Sequence, residues 1–153
     1  MKWGYIGINR HFYGLASLVS LVLGMLIYLF FRNTNMLIFA WIPQLDFLKD
    51  IYIPLEHSII TSMFLYNLPD ALWFLSGIFF IRFLWFGKYK EQKVYLFCFY
   101  IIGAVFEISQ LSTNIPGTFD WLDLLFMGIA AFIEGVIYRK LSIINNKESR
   151  SLI

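Results

Sequence analysis

The sequence predicts an all-α integral membrane protein: a four-helix transmembrane bundle with an extracytoplasmic interfacial segment between spans one and two. The prediction rests on an apolar composition, four stretches of membrane-spanning length, and an uneven distribution of lysine and arginine. Of the 153 residues, 59% are hydrophobic, 20% are aromatic and 14% are charged. Soluble domains average about 25% charged residues, and a chain this short cannot hide so many apolar side chains from water. Lipid is therefore the expected solvent of a single membrane domain, residues 1–153.

Charge and cysteine content exclude several functional classes. A net charge of +2 is too small for a nucleic-acid binder, and the single cysteine, Cys98, excludes a disulfide or a cysteine metal site within one chain. His11 and His57 are expected on opposite sides of the membrane, so they cannot share a zinc ion. The sequence contains no phosphate loop, dinucleotide fingerprint, zinc-protease motif or nucleophile elbow. We expect no catalytic residue, no cofactor and no metal, which favours a function other than catalysis.

Four apolar stretches approach the length of about 20 residues that a helix needs to cross the hydrocarbon core. The first, residues 12–31, has no charged side chain. It is longer than the apolar region of a signal peptide, and we expect it to be retained. The other spans are predicted at residues 68–86, 94–112 and 121–138, and each of them contains or adjoins ionisable groups.

The segment between the first two spans, residues 32–67, is expected to lie at the outer membrane surface. Its apolar run at residues 36–42 is too short to cross a bilayer. The run is either a surface-lying connector or a lid over the space between the outer helix ends. A short surface helix over residues 55–66 is expected to end before Pro69, because proline suits the first turn of a helix, where its missing N–H is not needed.

Lysine and arginine residues predict that both chain termini are cytoplasmic, because short cytoplasmic segments accumulate basic side chains. Nine basic residues precede the first span, separate the second from the third, or follow the fourth: Lys2, Arg10, Lys88, Lys90, Lys93, Arg139, Lys140, Lys147 and Arg150. On the other side we find only Arg32 and Lys49. The sequence therefore predicts a multi-pass protein with an even number of spans.

Five polar side chains are predicted at similar depth, near the outer ends of three spans. They are Asp70 in the second span, Glu107 and Gln110 in the third, and Asp120 and Asp123 at the start of the fourth. The two members of each pair are three residues apart and so share a helical face. Asp70 and Asp120 have a structural alternative, the capping of a helix N-terminus. Glu107 lies inside a span without terminal N–H groups, and it therefore needs a polar partner or a proton.

Two further charges are predicted near the inner membrane surface. Arg82 and Glu134 lie at matching depths in the second and fourth spans, so we expect an ion pair that locks these spans together rather than a transport role. Snorkelling of the long Arg82 side chain is the alternative. Small residues at helical spacing also predict close-packed faces. These residues are Gly14, Ser17, Ser20 and Gly24 in the first span, and Gly128, Ala131 and Gly135 in the fourth.

Two short motifs in the last third of the chain carry a family resemblance. Glu107 and Gln110 form a Glu-x-x-Gln sequence late in one membrane helix, and Asp123 opens the next helix after a short loop. This arrangement resembles the VanZ-like family of small bacterial membrane proteins, whose earlier Asp-bearing helix is matched at Asp70. The resemblance implies a protein of the bacterial cytoplasmic (inner) membrane and cell envelope. The family is best known for low-level resistance to lipid-tailed glycopeptide antibiotics, without a defined reaction.

Three functions are compatible with these expectations. In the first, Glu107, Gln110, Asp120, Asp123 and Asp70 line a site for a lipid-linked or amphiphilic molecule, with membrane lipids as partners. In the second, the chain is an accessory or scaffolding subunit of a larger membrane complex, or a homo-oligomer, which the small-residue faces would allow. The third, cation or proton translocation, is disfavoured because a conducting path needs polar groups across the full membrane depth. None of the three involves nucleic acid.

Overall fold

The computed structural model describes residues 3–31, 58–112 and 119–151. Within these ranges the regular structure is four α-helices without a strand: α1 Trp3–Phe31, α2 Ile59–Leu84, α3 Tyr89–Ser109 and α4 Trp121–Ser151. Each contains a segment long and apolar enough to cross a membrane: Arg10–Phe31, Met63–Leu84, Tyr89–Ser109 and Trp121–Leu141. The predicted all-α class with four such helices is confirmed for these residues. Most of the predicted surface segment, including the apolar run at 36–42, lies outside them.

The second helix begins earlier than the sequence predicted. α2 runs continuously from Ile59 to Leu84, so the predicted break before Pro69 is wrong. The start signal is Ser58, whose hydroxyl oxygen accepts a hydrogen bond from the Thr61 N–H at 3.1 Å, as expected of an N-cap. The polar residues before Pro69 thus belong to the same helix as the apolar residues after it.

Pro69 lies in the interior of α2 and is fully buried. Two residues earlier, the Asn67 side chain turns back to the helix, and its Nδ2 donates to the Met63 carbonyl oxygen at 2.8 Å. Membrane helices tolerate interior proline where neighbouring helices cover the affected backbone. Gly24 of α1 lets the two helices approach closely at this level, because a methyl group added there would lie 3.1 Å from the Pro69 carbonyl oxygen.

α1 and α2 pack antiparallel along the small-residue face predicted for the first span. A methyl group at Gly14 would lie 3.1 Å from the Phe83 ring, and near the other end Gly24 accommodates the Trp73 ring. Between these points, Ser17 and Ser20 are buried. The predicted close-packing role of this face is confirmed.

The small residues of α4 do not form a packed face in the described structure. A methyl group at Gly128 or Gly135 would meet no atom within 4 Å among the described residues. The prediction of close packing there is wrong for the single chain, because α4 contacts α2 through a different face. That face buries Ala130 and Glu134, and the Phe126 ring meets Phe64 edge-on at 5.9 Å.

α3 packs against α2 through glycine on each helix. The Phe99 ring of α3 occupies the space beside Gly77, and the Phe74 ring of α2 lies beside Gly103, where a methyl group would approach it to 2.7 Å. The two rings stack with centroids 4.9 Å apart. These contacts align the helices antiparallel, so the lysine-bearing turn at 85–88 and the α3–α4 connection lie at opposite ends of the bundle.

Candidate functional site

A cavity of about 620 Å³ lies between α2, α3 and α4 at the end of the bundle away from the lysine-bearing turn. Its lining includes all five polar residues that the sequence predicted as a ligand site: Asp70, Glu107, Gln110, Asp120 and Asp123. Apolar and aromatic side chains form most of the remaining wall: Tyr66, Trp73, Phe74, Phe99, Ile102, Phe106 and Met127. The helices thus bring the predicted residues together in a space that is polar at one part and apolar over the rest.

Glu107 is buried, with 7% of its surface exposed, and faces α4 rather than the outside of the bundle. Its Oε1 accepts a hydrogen bond from the backbone N–H of Asp120 at 3.3 Å. Its Oε2 accepts a long contact of 3.5 Å from Nε2 of Gln110, which is weak at that distance. The polar partner that the sequence analysis required for Glu107 is thus a backbone N–H at the start of the neighbouring helix.

Asp120 is the N-cap of α4, as the structural alternative for this residue proposed. Its Oδ1 accepts a hydrogen bond from the Leu122 N–H at 2.9 Å, and its carbonyl oxygen accepts one from the Asp123 N–H at 3.0 Å. Capping and cavity lining are compatible, because the carboxylate lies at the boundary between the helix end and the cavity. Asp120 therefore connects the helix start to the Glu107 carboxylate through its backbone N–H.

All the charged side chains described in the lining of the acidic cavity are carboxylates. Four carboxyl groups contribute to it, two of them, Asp70 and Asp123, being half-buried on α2 and α4. No lysine or arginine occurs among the described lining residues. Such a cavity favours a group that brings positive charge or hydrogen-bond donors. The sequence did not indicate Asn67, which also lines the cavity and is 2% exposed, because it fell in the predicted break before Pro69.

At the opposite end, Arg82 of α2 and Glu134 of α4 form the ion pair that the sequence predicted. Nε of Arg82 lies 2.8 Å from Oε1 of Glu134, and its Nη2 lies 3.2 Å from Oε2, which is a bidentate arrangement. The sequence did not indicate two further partners. Gln92 accepts from Nη1 through its Oε1 at 2.6 Å, and the Tyr138 ring lies 3.8 Å from the guanidinium carbon.

Gln92 was missed because the third span was predicted to start at residue 94, whereas α3 begins at Tyr89. Gln92 is therefore helical and 3% exposed. Among the described residues, no group of three or more His, Cys, Asp or Glu side chains could hold a metal ion.

Comparisons with known proteins identify no relative of this chain. No protein-family model matches the chain. Searches among curated proteins and among solved structures likewise give no match. The resemblance to the VanZ-like family stays a prediction from Glu107, Gln110 and Asp123.

Proposed function

We propose that the chain is a multi-pass membrane protein whose acidic cavity binds the polar end of a lipid-linked or amphiphilic molecule. One observation carries the proposal: five polar side chains from three helices line one cavity of about 620 Å³ whose remaining wall is largely apolar. Concave sites with an apolar wall and a few convergent polar groups are typical of ligand sites. A purely structural network needs no open cleft of this volume between its members.

The apolar exterior of the helices supports insertion in a membrane. Large apolar side chains are exposed on every helix, including Leu15 at 62%, Phe97 at 66% and Phe132 at 72%. Contiguous exposed apolar surface of this kind is unfavourable in water. In a bilayer the same side chains contact hydrocarbon at no such cost. The distribution of basic residues supports two cytoplasmic termini, and the VanZ-like resemblance favours a bacterial cytoplasmic membrane.

The cavity lining indicates the chemistry of the ligand. Carboxylates accept hydrogen bonds and attract cations, so the polar end of the ligand carries amine or hydroxyl groups. The apolar part has a lateral path, because Ile102 and Phe106 line the cavity and are also 64% and 61% exposed on the outside of α3. A hydrocarbon chain could therefore extend from the cavity along α3 into the surrounding lipid.

An accessory or scaffolding role is the second candidate, and the open face of α4 favours it. Gly128 and Gly135 leave space for a methyl group without any contact in the described structure, and small residues of this kind let a second helix approach closely. Translocation of cations or protons is not favoured, because the four carboxyl groups of the cavity lie at one end of the bundle, and a conducting path needs polar groups across the full depth.

Purification in a mild detergent distinguishes these candidates. Bound small molecules are identified by mass spectrometry, and bound proteins on a gel, for the parent chain and for Glu107→Gln. Glutamine keeps an oxygen that accepts the Asp120 N–H, so folding is preserved while the charge is lost. Glu91→Gln, on the exposed first turn of the same helix, is the matched control. We expect a lipid-linked or amphiphilic molecule on the parent and on Glu91→Gln but not on Glu107→Gln. Equal retention by all three forms would contradict the binding proposal.

A further inference from the structure

We propose a second binding site, for a phosphate-bearing anion, at the lysine-bearing end of the bundle. A cavity of about 270 Å³ opens there between the last turn of α2, the first turns of α3, and α4 at Tyr138. The inference concerns different residues from the acidic cavity and does not depend on the function proposed for it. It rests on the lining chemistry, on the unused donors of a buried arginine, and on the adjacent apolar surface.

The lining of this cavity is rich in donors. Its polar members are Arg82, Tyr89, Gln92, Lys93, Tyr100 and Tyr138. No aspartate or glutamate is among the described lining residues, which is the reverse of the acidic cavity at the other end. Lysine ammonium, guanidinium and phenol groups all donate hydrogen bonds to phosphate oxygens. Tyr89 and Gln92 bring the cavity to the first turn of α3, where the positive end of the helix dipole also favours an anion.

The Arg82 guanidinium is held in one orientation and has N–H groups that the described contacts do not use. A guanidinium carries five N–H groups, and the described contacts use three of them: two to Glu134 and one to Gln92. One N–H on Nη1 and one on Nη2 remain. The side chain is only 10% exposed, and the Tyr138 ring covers one face of the guanidinium. Its orientation is therefore set before an anion arrives, so little rotamer entropy is lost on binding.

The Arg82 charge is largely offset by Glu134, so the net attraction for an anion comes from Lys93. Lys93 is exposed at the rim of the cavity, about one helical turn after Tyr89, the first residue of α3. A lysine at this position can close over a phosphate whose other oxygens meet the Arg82 N–H groups. Basic pockets between membrane helices commonly hold lipid head groups in this way.

The apolar part of the lining favours an anion attached to hydrocarbon. Leu96 and Phe97 follow Lys93 by one turn on α3 and also line the cavity, and Phe97 is 66% exposed. A phospholipid could place its phosphate between Lys93 and Arg82 and its first acyl carbons along Phe97. A free phosphate would use the polar part alone. Both sources share the phosphate chemistry, and the experiment below distinguishes them.

The test titrates the detergent-purified full chain with phosphatidylglycerol, with phosphatidylcholine and with inorganic phosphate, and measures retention by native mass spectrometry. Lys93→Gln removes the proposed contact. Lys90→Gln is the matched control, because Lys90 is also exposed on the first turn of α3 but does not line the cavity. We expect phosphatidylglycerol to bind the parent and Lys90→Gln equally, and Lys93→Gln about fivefold more weakly. That factor corresponds to the roughly 1 kcal/mol that one basic residue contributes near an anionic surface.

Inorganic phosphate identifies whether the site binds a lipid head group or a free anion, and the variants test whether binding is specific to this cavity. Displacement of phosphatidylglycerol by inorganic phosphate would support recognition of the phosphate itself, and binding of inorganic phosphate alone would assign the site to a free anion. Equal weakening by Lys90→Gln and Lys93→Gln would overturn the proposal in favour of general surface attraction. Unchanged binding in Lys93→Gln would overturn it as well. Tyr89→Phe, which keeps all charges, is expected to weaken retention of phosphatidylglycerol, and an unchanged affinity would count against the site.

Discussion

Ser17 of α1 and Ser76 of α2 exchange hydrogen bonds across the helix interface. Oγ of Ser17 donates to the Ser76 carbonyl oxygen at 3.0 Å, and Oγ of Ser76 donates to the Ser17 carbonyl oxygen at 2.8 Å. Both residues are buried. Each hydroxyl thus bonds to a backbone carbonyl of the facing helix, and the pair fixes the register of α1 against α2.

We expect Ser17→Ala to destabilise the protein by about 0.6 kcal/mol, with about 1.7 kcal/mol as the upper end for a hydrogen bond between membrane helices. The loss is modest because the carbonyl oxygens keep their helical partners. Unfolding by a denaturing detergent measures the effect. Ser20→Ala is the control, since Ser20 is buried on the same helix and no hydrogen bond of its side chain is described. Equal destabilisation by the two changes would contradict the interhelical role of Ser17.

Breaking the Arg82–Glu134 pair is expected to destabilise the protein far more than Ser17→Ala does. Glu134 is 1% exposed, so Arg82→Gln leaves a buried carboxylate without its countercharge, and removal of one partner of such a pair typically costs about 3–5 kcal/mol. We expect either single change to lower the yield of folded protein strongly. Arg82→Gln combined with Glu134→Gln should lose less than the two single changes added together.

Arg139→Gln provides the comparison for the ion pair, because Arg139 is an exposed basic residue close to Glu134 in sequence. It should leave the yield unchanged. Strict additivity of the two single losses in the double variant would argue that the pair contributes nothing by its contact.

Two substitutions at Asp120 distinguish its role as a helix cap from the role of its charge. Asparagine caps a helix about as well as aspartate, whereas alanine at this position costs about 1 kcal/mol. We therefore expect Asp120→Asn to unfold at the parental denaturant concentration and Asp120→Ala to unfold earlier. If the acidic cavity needs the charge, Asp120→Asn should also retain less of any co-purified amphiphile. Identical stability of the alanine and asparagine variants would show that the hydrogen bond to the Leu122 N–H does not stabilise α4.

The predicted orientation is testable with single cysteines in a Cys98→Ser background. Ser112 follows α3 at one end of the bundle, and Lys90 lies on the first turn of α3 at the other. Because basic residues accumulate on the cytoplasmic side, Ser112→Cys should react with a membrane-impermeant reagent added to intact cells. Lys90→Cys should react only after the cells are opened. The reverse pattern would place both termini outside.

The sequence predicted the helices best where apolar residues alone define them. The first span was predicted at 12–31, and the apolar segment of α1 is Arg10–Phe31. The start of α2 was missed because the helix was expected to break before Pro69, whereas it is capped at Ser58. The start of α3 was missed because that helix begins among charged residues at Tyr89. Hydropathy marks the part of a helix that lipid would cover, and capping and turn geometry determine where the helix begins.

The site residues could be predicted because helices that cross the same layer bring residues of equal depth together, whichever way each helix runs. This placed Arg82 beside Glu134, and Glu107 in the same cavity as Asp123. The partners themselves were less predictable. Glu107 bonds to a backbone N–H, which has no sequence signature, and Gln92 reaches Arg82 only because a tight turn folds α3 back against the end of α2.

Pro69 gives α2 two parts of unequal bending stiffness. Proline has no N–H, so the Leu65 carbonyl oxygen lacks its usual donor at the level where Asn67 and Asp70 line the acidic cavity. From Ala71 to Leu84 the helix contains no further proline. Bending α2 near Pro69 to widen the cavity would therefore need less energy than bending it elsewhere. Such bending would leave the Arg82–Glu134 contact in place, so a change of shape at the acidic cavity need not reach the other end of the bundle.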